Sequence, residues 1–468
     1  MKKETYRLQY HLMPPTGWMN DPNGLCYFAG AYHVFFQYSP HDALGRTKYW
    51  GHYRSKNLTD WEYLGIAIRS DCPWDKDGAY SGCGFTEDGE MELFYTGNVK
   101  EEGKHDYIHS GRGANVIRMT SKDGLLFSEK ELLLTNRDYP KDYTCHIRDP
   151  KVWKCGDTYY MVLGGRKSDD TGAVLQYRSK DKMHWELAGE ITTEEPFGYM
   201  WECPDTFSLG GKTVLMCCPQ GVERERFRFW NVHQSGYFLL DDREKENLGG
   251  TCKKEQFREF DFGYDFYAPQ TMLDPKGRRI LFGWAGMSEM EPEFDNAPTI
   301  EEGWQHSLTL PRKLTYCNGI VYQYPVEEIN ALREVAVTLC NGANSIFESA
   351  FDCEIRFQED TGRKECRLDE DVHILWEDGI LSVTLSKESG RGRGKREILL
   401  SKLRELRILK DVSMLEIYVN HGEAVYTARY YPENITTTSV TITNSADARL
   451  YPMRKMEVES HVDTEAES

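Results

Sequence analysis

The feature that most constrains this chain is a repeat in its first two thirds. Five segments open on a small or polar residue, run through a strand pattern and return through an aromatic-rich strand. They are Asp21-Pro22-Asn23-Gly24-Leu25, Ser81-Gly82-Cys83-Gly84-Phe85, Asp149-Pro150-Lys151-Val152-Trp153, Glu202-Cys203-Pro204-Asp205-Thr206 and Ala268-Pro269-Gln270-Thr271-Met272. Their starts, at 21, 81, 149, 202 and 268, lie 60, 68, 53 and 66 residues apart, roughly one four-stranded sheet with its loops. A second mark recurs: Ser55-Lys56-Asn57, Ser121-Lys122-Asp123 and Ser179-Lys180-Asp181 each lead to an aromatic residue, Trp61, Phe127 and Trp185. Radial repetition of four-stranded sheets leaves an all-β chain only short exposed edges, so five units predict a five-bladed β-propeller. The competing architecture is an irregular β-sandwich. In a propeller the first strand of every blade lines the central channel, so Asp21, Asp149 and Glu202 are expected to converge there.

The pattern changes after Leu310-Pro311-Arg312-Lys313-Leu314. Pro325 is expected to open a short amphipathic helix over 326–333, with Ile329 and Leu332 on its apolar face. Short strands then return at close spacing, at 350–357, 373–376, 380–385, 414–419, 424–430 and 439–443, with Asn420-His421-Gly422 as a hairpin turn. The predicted class is all-β: a propeller over 1–322, a linker over 323–344, a β-sandwich over 345–456 and a disordered acidic tail over 457–468.

Charge and cysteine usage narrow the partners. A net charge of −18 argues against nucleic acid and against an anionic membrane, both of which require a basic surface. No apolar run reaches a membrane span, and the first residues carry no apolar signal core, which predicts a cytoplasmic protein. Thirteen cysteines, an odd number spread along the chain without a C-x-x-C pair, read as reduced thiols. His105 and His109 stand four apart in a polar, glycine-containing loop, and neither a metal nor a cofactor is expected. Asn57-Leu58-Thr59 has the form of a glycosylation site, which an unexported protein does not use.

Three carboxylates around one pocket, with aromatic residues nearby, suit glycoside hydrolysis, in which one carboxylate attacks the anomeric carbon and another protonates the leaving oxygen. Crowding the charges should raise the proton affinity of the acid, and Arg148 should keep its neighbour Asp149 ionised. Trp18-Met19-Asn20-Asp21-Pro22-Asn23-Gly24, Phe36-Gln37, Trp50-Gly51-His52, Tyr80-Ser81-Gly82, Arg148-Asp149-Pro150 and Trp201-Glu202-Cys203-Pro204 together resemble the motif set of glycoside hydrolase family 32, the β-fructofuranosidases. Tyr267-Ala268-Pro269-Gln270 and Leu310-Pro311-Arg312 extend the resemblance.

The resemblance implies a retaining enzyme acting on a small sugar such as sucrose, sucrose 6-phosphate or a short fructan. It implies Asp21 as nucleophile, Glu202 as general acid and base, and Asp149 as the group that binds fructose hydroxyls and stabilises the transition state. Trp18, Asn20, Gln37, Trp50, Tyr80, Ser81 and Arg148 are implied to bind substrate. Tyr80 stands where the family often has phenylalanine, and Cys83 where serine is commoner. Arg46 and Lys48, just before Trp50, are candidate partners for a substrate phosphate. The rival readings are an inverting propeller glycosidase acting on arabinose- or xylose-containing chains, and a non-catalytic fructan-binding module.

Overall fold

A computed structural model of the protein describes residues 5–240, 247–288, 297–359 and 362–462. Five mainly antiparallel sheets form a propeller, with innermost strands Gly17–Phe28, Ala79–Glu87, Tyr143–Cys155, Met200–Leu209 and Tyr267–Leu273. A narrow cavity on the axis is lined by residues from all five of these strands. Two six-stranded sheets follow and enclose one apolar core, which includes Phe351, Ile355, Val383, Ile408, Ile417 and Leu450. The architecture is thus a five-bladed propeller followed by a β-sandwich.

The recurrent Ser-Lys-(Asn/Asp) marks are the outer turns of blades 1, 2 and 3. In each, the serine hydroxyl accepts the backbone N–H three residues on: Leu58 at 2.8 Å, Gly124 at 2.9 Å and Lys182 at 2.9 Å. The Asn57, Asp123 and Asp181 side chains accept the next free N–H groups. The turn needs a left-handed residue, and Leu58, Gly124 and Lys182 supply it at φ 65°, 73° and 66°.

Blade 1 is completed from elsewhere in the chain. Trp304–Gln305 adds a parallel strand beside Gly17–Trp18, and Val458–Ser460 adds another beside the outer strand Trp61–Ile68. The second addition corrects the expectation that everything after residue 456 is disordered: the Glu457 carbonyl accepts Trp61 N–H at 2.8 Å, so the backbone there is paired. Residues 463–468 of that expected tail lie outside the described residues. The connector also differs from expectation. Pro325 ends the last strand of blade 5, Ile320–Pro325, and the following turn is a 3₁₀ helix, Glu327–Leu332, that buries Ile329 and Leu332. Val337–Thr338, within the expected linker, already pairs with a sandwich strand.

The sandwich is pinned to the propeller by buried charges. Arg312 is fully buried and donates to Glu416 at 2.7 Å, Asp261 at 3.1 Å and Thr427 at 2.6 Å. His11, from the N-terminal segment, bridges Asp411 at 2.8 Å and Glu416 at 3.0 Å. Burial opposes a charge on His11, yet its bonds to the two carboxylates raise its pKa to about 9. Each of these charges is expensive to bury alone and is tolerated because every partner is satisfied.

Candidate active site

Every innermost strand carries a register irregularity near the axis, flanked by Met19 and Pro22, Ala79 and Gly82, Glu202 and Asp205, and Tyr267 and Gln270, and facing Val162 and Gly164 in blade 3. Proline or glycine lies in or at the edge of each one: Pro150, Pro204 and Pro269 within, Pro22 and Gly82 at the border, as proline cannot donate to a ladder and is tolerated where pairing lapses. The residue before it is turned toward the axis. Asp149, Cys203 and Ala268 take φ of 66°, 47° and 45°, a strained region for residues with a β-carbon. Neighbouring blades hold this geometry: Asp149 N–H donates to Thr96 at 2.8 Å, and Cys203 N–H donates to Asp149 at 2.9 Å.

Two rings of side chains result. The inner ring is Asp21, Ser81, Asp149, Cys203 and Ala268, and the residues one position earlier, Asn20, Tyr80, Arg148, Glu202 and Tyr267, precede it in each strand. This corrects the sequence register of blade 4, which aligned Glu202 with Asp21; the bulge aligns Cys203 instead. The Ser81 hydroxyl donates to Asp21, and the Cys203 sulfur lies 3.9 Å from Asp21 and 3.6 Å from Asp149. The hydrogen bond to Cys218 and burial push the Cys203 thiol well up, so it is a neutral spacer between carboxylates.

On the Asp21 side, Asn20 is fixed by its partners. Its carbonyl oxygen accepts from Trp18 Nε1 at 2.7 Å and Lys48 Nζ at 3.0 Å. Its amide must therefore donate, to Gln37 at 2.5 Å and Asp21 at 3.0 Å. Burial raises the Asp21 pKa, against the opposing bonds from Ser81 and Asn20. Burial pulls the Lys48 pKa down to about 8, so Lys48 remains mostly protonated at neutral pH.

Around Glu202 the donors converge. Arg148 gives Nε at 3.0 Å and Nη2 at 2.7 Å to one carboxylate oxygen, while Gln220 at 2.7 Å and the Tyr267 hydroxyl at 2.6 Å bond the other. Burial favours the neutral acid, but Arg148 and Tyr267 outweigh it and the Glu202 pKa falls. Asp149 goes the other way. Burial raises it to about 7 despite the nearby Arg148 charge, with the Glu202 charge adding to the rise. Both differ from the sequence expectation, in which Arg148 ionises Asp149 and the acid has the raised pKa: the guanidinium reaches across to the next blade.

Of the expected substrate-binding residues, Trp18, Asn20, Gln37, Ser81 and Arg148 are grouped by these contacts around Asp21 and Glu202, and Tyr80 acts electrostatically on Arg148. Trp50 is a correction. It is 0% exposed, packs on Phe35 and Tyr95, and gives its indole N–H to the Tyr80 carbonyl at 3.0 Å, so no face is left for a sugar. Trp201 is likewise buried, with its N–H on the Phe197 carbonyl at 2.7 Å. Lys48 turns inward to Asn20 while Arg46 is exposed, so the two do not form a joint anion site. Sequence reasoning gave no role to Gln220 or Tyr267, and gave Lys48 a phosphate rather than the Asn20 side chain as its partner. Tyr267 had a signal, its place just before the fifth bulge; Gln220, on a second strand, had none. Among the described residues no group of three or more His, Cys, Asp or Glu is placed to hold a metal ion. His109 pairs with Asp106, and His105 with Ser110.

With this geometry the chain belongs to glycosyl hydrolases family 32: the family's N-terminal domain matches residues 11–325 and its C-terminal domain residues 381–460. It is 36% identical to the sucrose-6-phosphate hydrolase of Bacillus subtilis (strain 168), over 92% of this chain and 90% of that protein. Among solved structures, the sucrose complex of the Bombyx mori GH32 beta-fructofuranosidase is similar at 30% identity and TM-score 0.83, covering 96% of this chain and 94% of that one. The sucrose-6-phosphate hydrolase of Lactobacillus gasseri is similar at 26% identity and TM-score 0.87, covering 97% and 94%.

Proposed function

We propose that the protein is a retaining β-fructofuranosidase that hydrolyses sucrose or sucrose 6-phosphate at this pocket, with Asp21 as nucleophile and Glu202 as acid and base. The observation that carries the reading is the division of labour between the two carboxylates. Asp21 sits among amide, hydroxyl and lysine groups suited to a furanose, and Glu202 sits among donors on the far side of Cys203. In the first step an Asp21 oxygen bonds the anomeric carbon as its bond to the glycosidic oxygen breaks, and Glu202 gives that oxygen its proton. In the second, Glu202 takes a proton from water, the water oxygen bonds the anomeric carbon, and the Asp21 ester bond breaks. Asp149 offers its carboxyl to fructose hydroxyls and to the developing positive charge. Trp18, Asn20, Gln37, Tyr80, Ser81 and Arg148 bind or orient the sugar.

Arg148 and Tyr267 favour the ionised form of Glu202, so an approaching glycosidic oxygen has to displace some of these donors before Glu202 can act as an acid. A cytoplasmic location belongs to the same proposal and is supported by thirteen free thiols, which suit a reducing compartment. No helix among the described residues is long and apolar enough to cross a membrane.

The test separates the carboxylates by leaving group. Glu202→Gln should lose roughly 10² to 10⁴-fold on sucrose, the range of a general acid. Fructosyl fluoride leaves without a proton, so the same variant should show a burst and then stall for want of a base. Asp21→Asn should show neither burst nor turnover. Equal loss of Glu202→Gln on both substrates, or a burst from Asp21→Asn, would overturn the assignment.

A further inference from the structure

The reaction above uses the ring of side chains at the mouth of the axis but not the layer beneath it. Two residues after Asp21, Asn23 takes the Gly82 N–H on its Oδ1 at 3.0 Å, which joins blade 1 to blade 2. Gln270 of blade 5 accepts the Leu25 N–H at 3.1 Å and donates to the Gly82 carbonyl at 2.8 Å, so it is tied to the same two blades. On the other side of the axis, Lys151 of blade 3 lies two residues after Asp149. It donates to the Thr271 carbonyl at 2.6 Å and meets Asp205 Oδ2 at 3.1 Å. Asp205, three residues after Glu202 in blade 4, takes the Thr271 N–H at 3.0 Å and the Thr271 hydroxyl at 2.7 Å, both on the same Oδ2. Blades 1, 2 and 5 are linked on one side, and blades 3, 4 and 5 on the other.

Two atoms of this layer are left over. Asn23 and Asp205 are 0% and 1% exposed, and neither Asn23 Nδ2 nor Asp205 Oδ1 has a hydrogen-bond partner among the described residues. The Asn23 amide cannot be turned over, because only its oxygen can accept the Gly82 N–H. One leftover atom is therefore a donor and the other an acceptor. Both residues line the axial cavity, whose volume of about 10 Å³ suits one water molecule. Little else in the lining can serve them: its four prolines carry no N–H, the Ser81 hydroxyl is given to Asp21, and Gln270 is committed to Leu25 and Gly82. A buried donor and a buried acceptor each cost stability when unmade. A water that accepts from Asn23 and donates to Asp205 removes both costs at once.

We propose that a single water molecule, held on the propeller axis between Asn23 Nδ2 and Asp205 Oδ1, clasps blade 1 to blade 4 and so fixes the gap between Asp21 and Glu202. The inference rests on the β-fructofuranosidase reading, in which those two carboxylates act on one glycosidic bond. Blade 1 packs on blades 2 and 5, so a link across the axis is the short route between the strand of the nucleophile and the strand of the acid. Asn23 and Asp205 are positioning residues, which act through those strands. A misplacement of the two reacting groups by as little as 1 Å is enough to slow a reaction about 10²-fold.

The experiment has a structural and a kinetic arm, both on the full chain. In a high-resolution crystal structure of the wild type, the axial cavity should show one peak about 2.7–3.2 Å from both atoms. An empty cavity would overturn the proposal, and so would a peak ringed by five or more oxygens at about 2.3–2.6 Å, which marks a cation. The kinetic arm compares kcat/KM for sucrose with kcat/KM for fructosyl fluoride, whose departure needs no proton from Glu202, in the wild type, Asn23→Leu and Asn23→Asp. Asn23→Leu cannot hold the water, so it should lose roughly 10–100-fold on sucrose while staying within about threefold on the fluoride, which also shows that it is folded. Asn23→Asp still accepts the Gly82 N–H, and a water can donate to two carboxylates, so the peak and the ratio between the two substrates should both stay near wild type. Equal loss on both substrates in Asn23→Leu would overturn the clasp, as would a ratio in Asn23→Asp that falls as far as in Asn23→Leu. A wild type that releases fructose from neither substrate would refute the hydrolase reading instead, whatever the cavity holds.

Discussion

Tyr267→Phe should raise the proton affinity of Glu202. The hydroxyl donates to Glu202 Oε2 at 2.6 Å, and its own pKa is pushed far up, first by burial, so it stays protonated and can only donate to the anion. The phenyl ring keeps its packing, since Tyr267 is buried against Trp284. One hydrogen bond to a charged group contributes about 1.5–3 kcal/mol, and 1.36 kcal/mol equals one pK unit, so the rise should be about 1–2 units. Gln220 at 2.7 Å and Arg148 at 2.7 Å remain, so the carboxylate does not become an unpaired charge. Carbon-13 NMR of enzyme labelled at the glutamate side-chain carboxyl reads this directly, with the Glu202 signal assigned by its absence in Glu202→Gln. An unchanged or lower Glu202 pKa in Tyr267→Phe would refute the claim that this ring of donors holds the acid ionised. Because the Glu202 charge helps to raise Asp149, a second sample labelled at the aspartate side-chain carboxyl should be titrated alongside to follow Asp149 near 7.

Two further predictions concern stability. A carboxyl raised from 3.8 to about 7 on folding binds more protons in the native state, so Asp149 costs stability increasingly as pH rises from about 4 to 7. The cost is at most about (7 − 3.8) × 1.36 ≈ 4 kcal/mol. Asp149→Asn should therefore be inactive yet more stable than wild type in urea at pH 8, with the gain gone at pH 4; a less stable variant at pH 8 would contradict this. His11 behaves oppositely. Raised from 6.5 to about 9, it contributes stability that is complete below pH 6.5 and lost as pH climbs to 9, about 3 kcal/mol in all. His11→Gln should flatten that alkaline decline in thermal melts, and an unchanged slope would rule out His11 as its cause.

The blade count was legible because the outer turns reuse one hydrogen-bonding device, visible as Ser-Lys-(Asn/Asp), and because four of the five bulges carry proline. The register of blade 4 was not. The inner-ring side chains are Asp, Ser, Asp, Cys and Ala, so the conspicuous acid Glu202 drew the alignment one residue away from Cys203, whereas Pro204 marked the true position. Trp50 was misread because tryptophan suits both sugars and cores, and only the burial of both faces of its strand decides between them. The reach of Arg148 to Glu202 was hidden because adjacency in sequence suggested Asp149, and a left-handed residue at that point sends the two side chains to different partners. A three-residue edge strand such as Val458–Ser460 has too short a pattern to announce itself.

That edge strand, with Trp304–Gln305, sets an order of events during synthesis. Blade 1 carries the proposed nucleophile and emerges from the ribosome first, yet its inner edge waits for residue 304 and its outer edge for residue 458. Domains made vectorially tend to fold as their parts emerge, and pairings between distant residues form slowly. Until then the first sheet made has two open edges, each a template for pairing with another chain. The first blade to be built is thus the last to be sealed, and deleting the edge strand Val458–Ser460 should show itself as aggregation of nascent protein before any change in the chemistry.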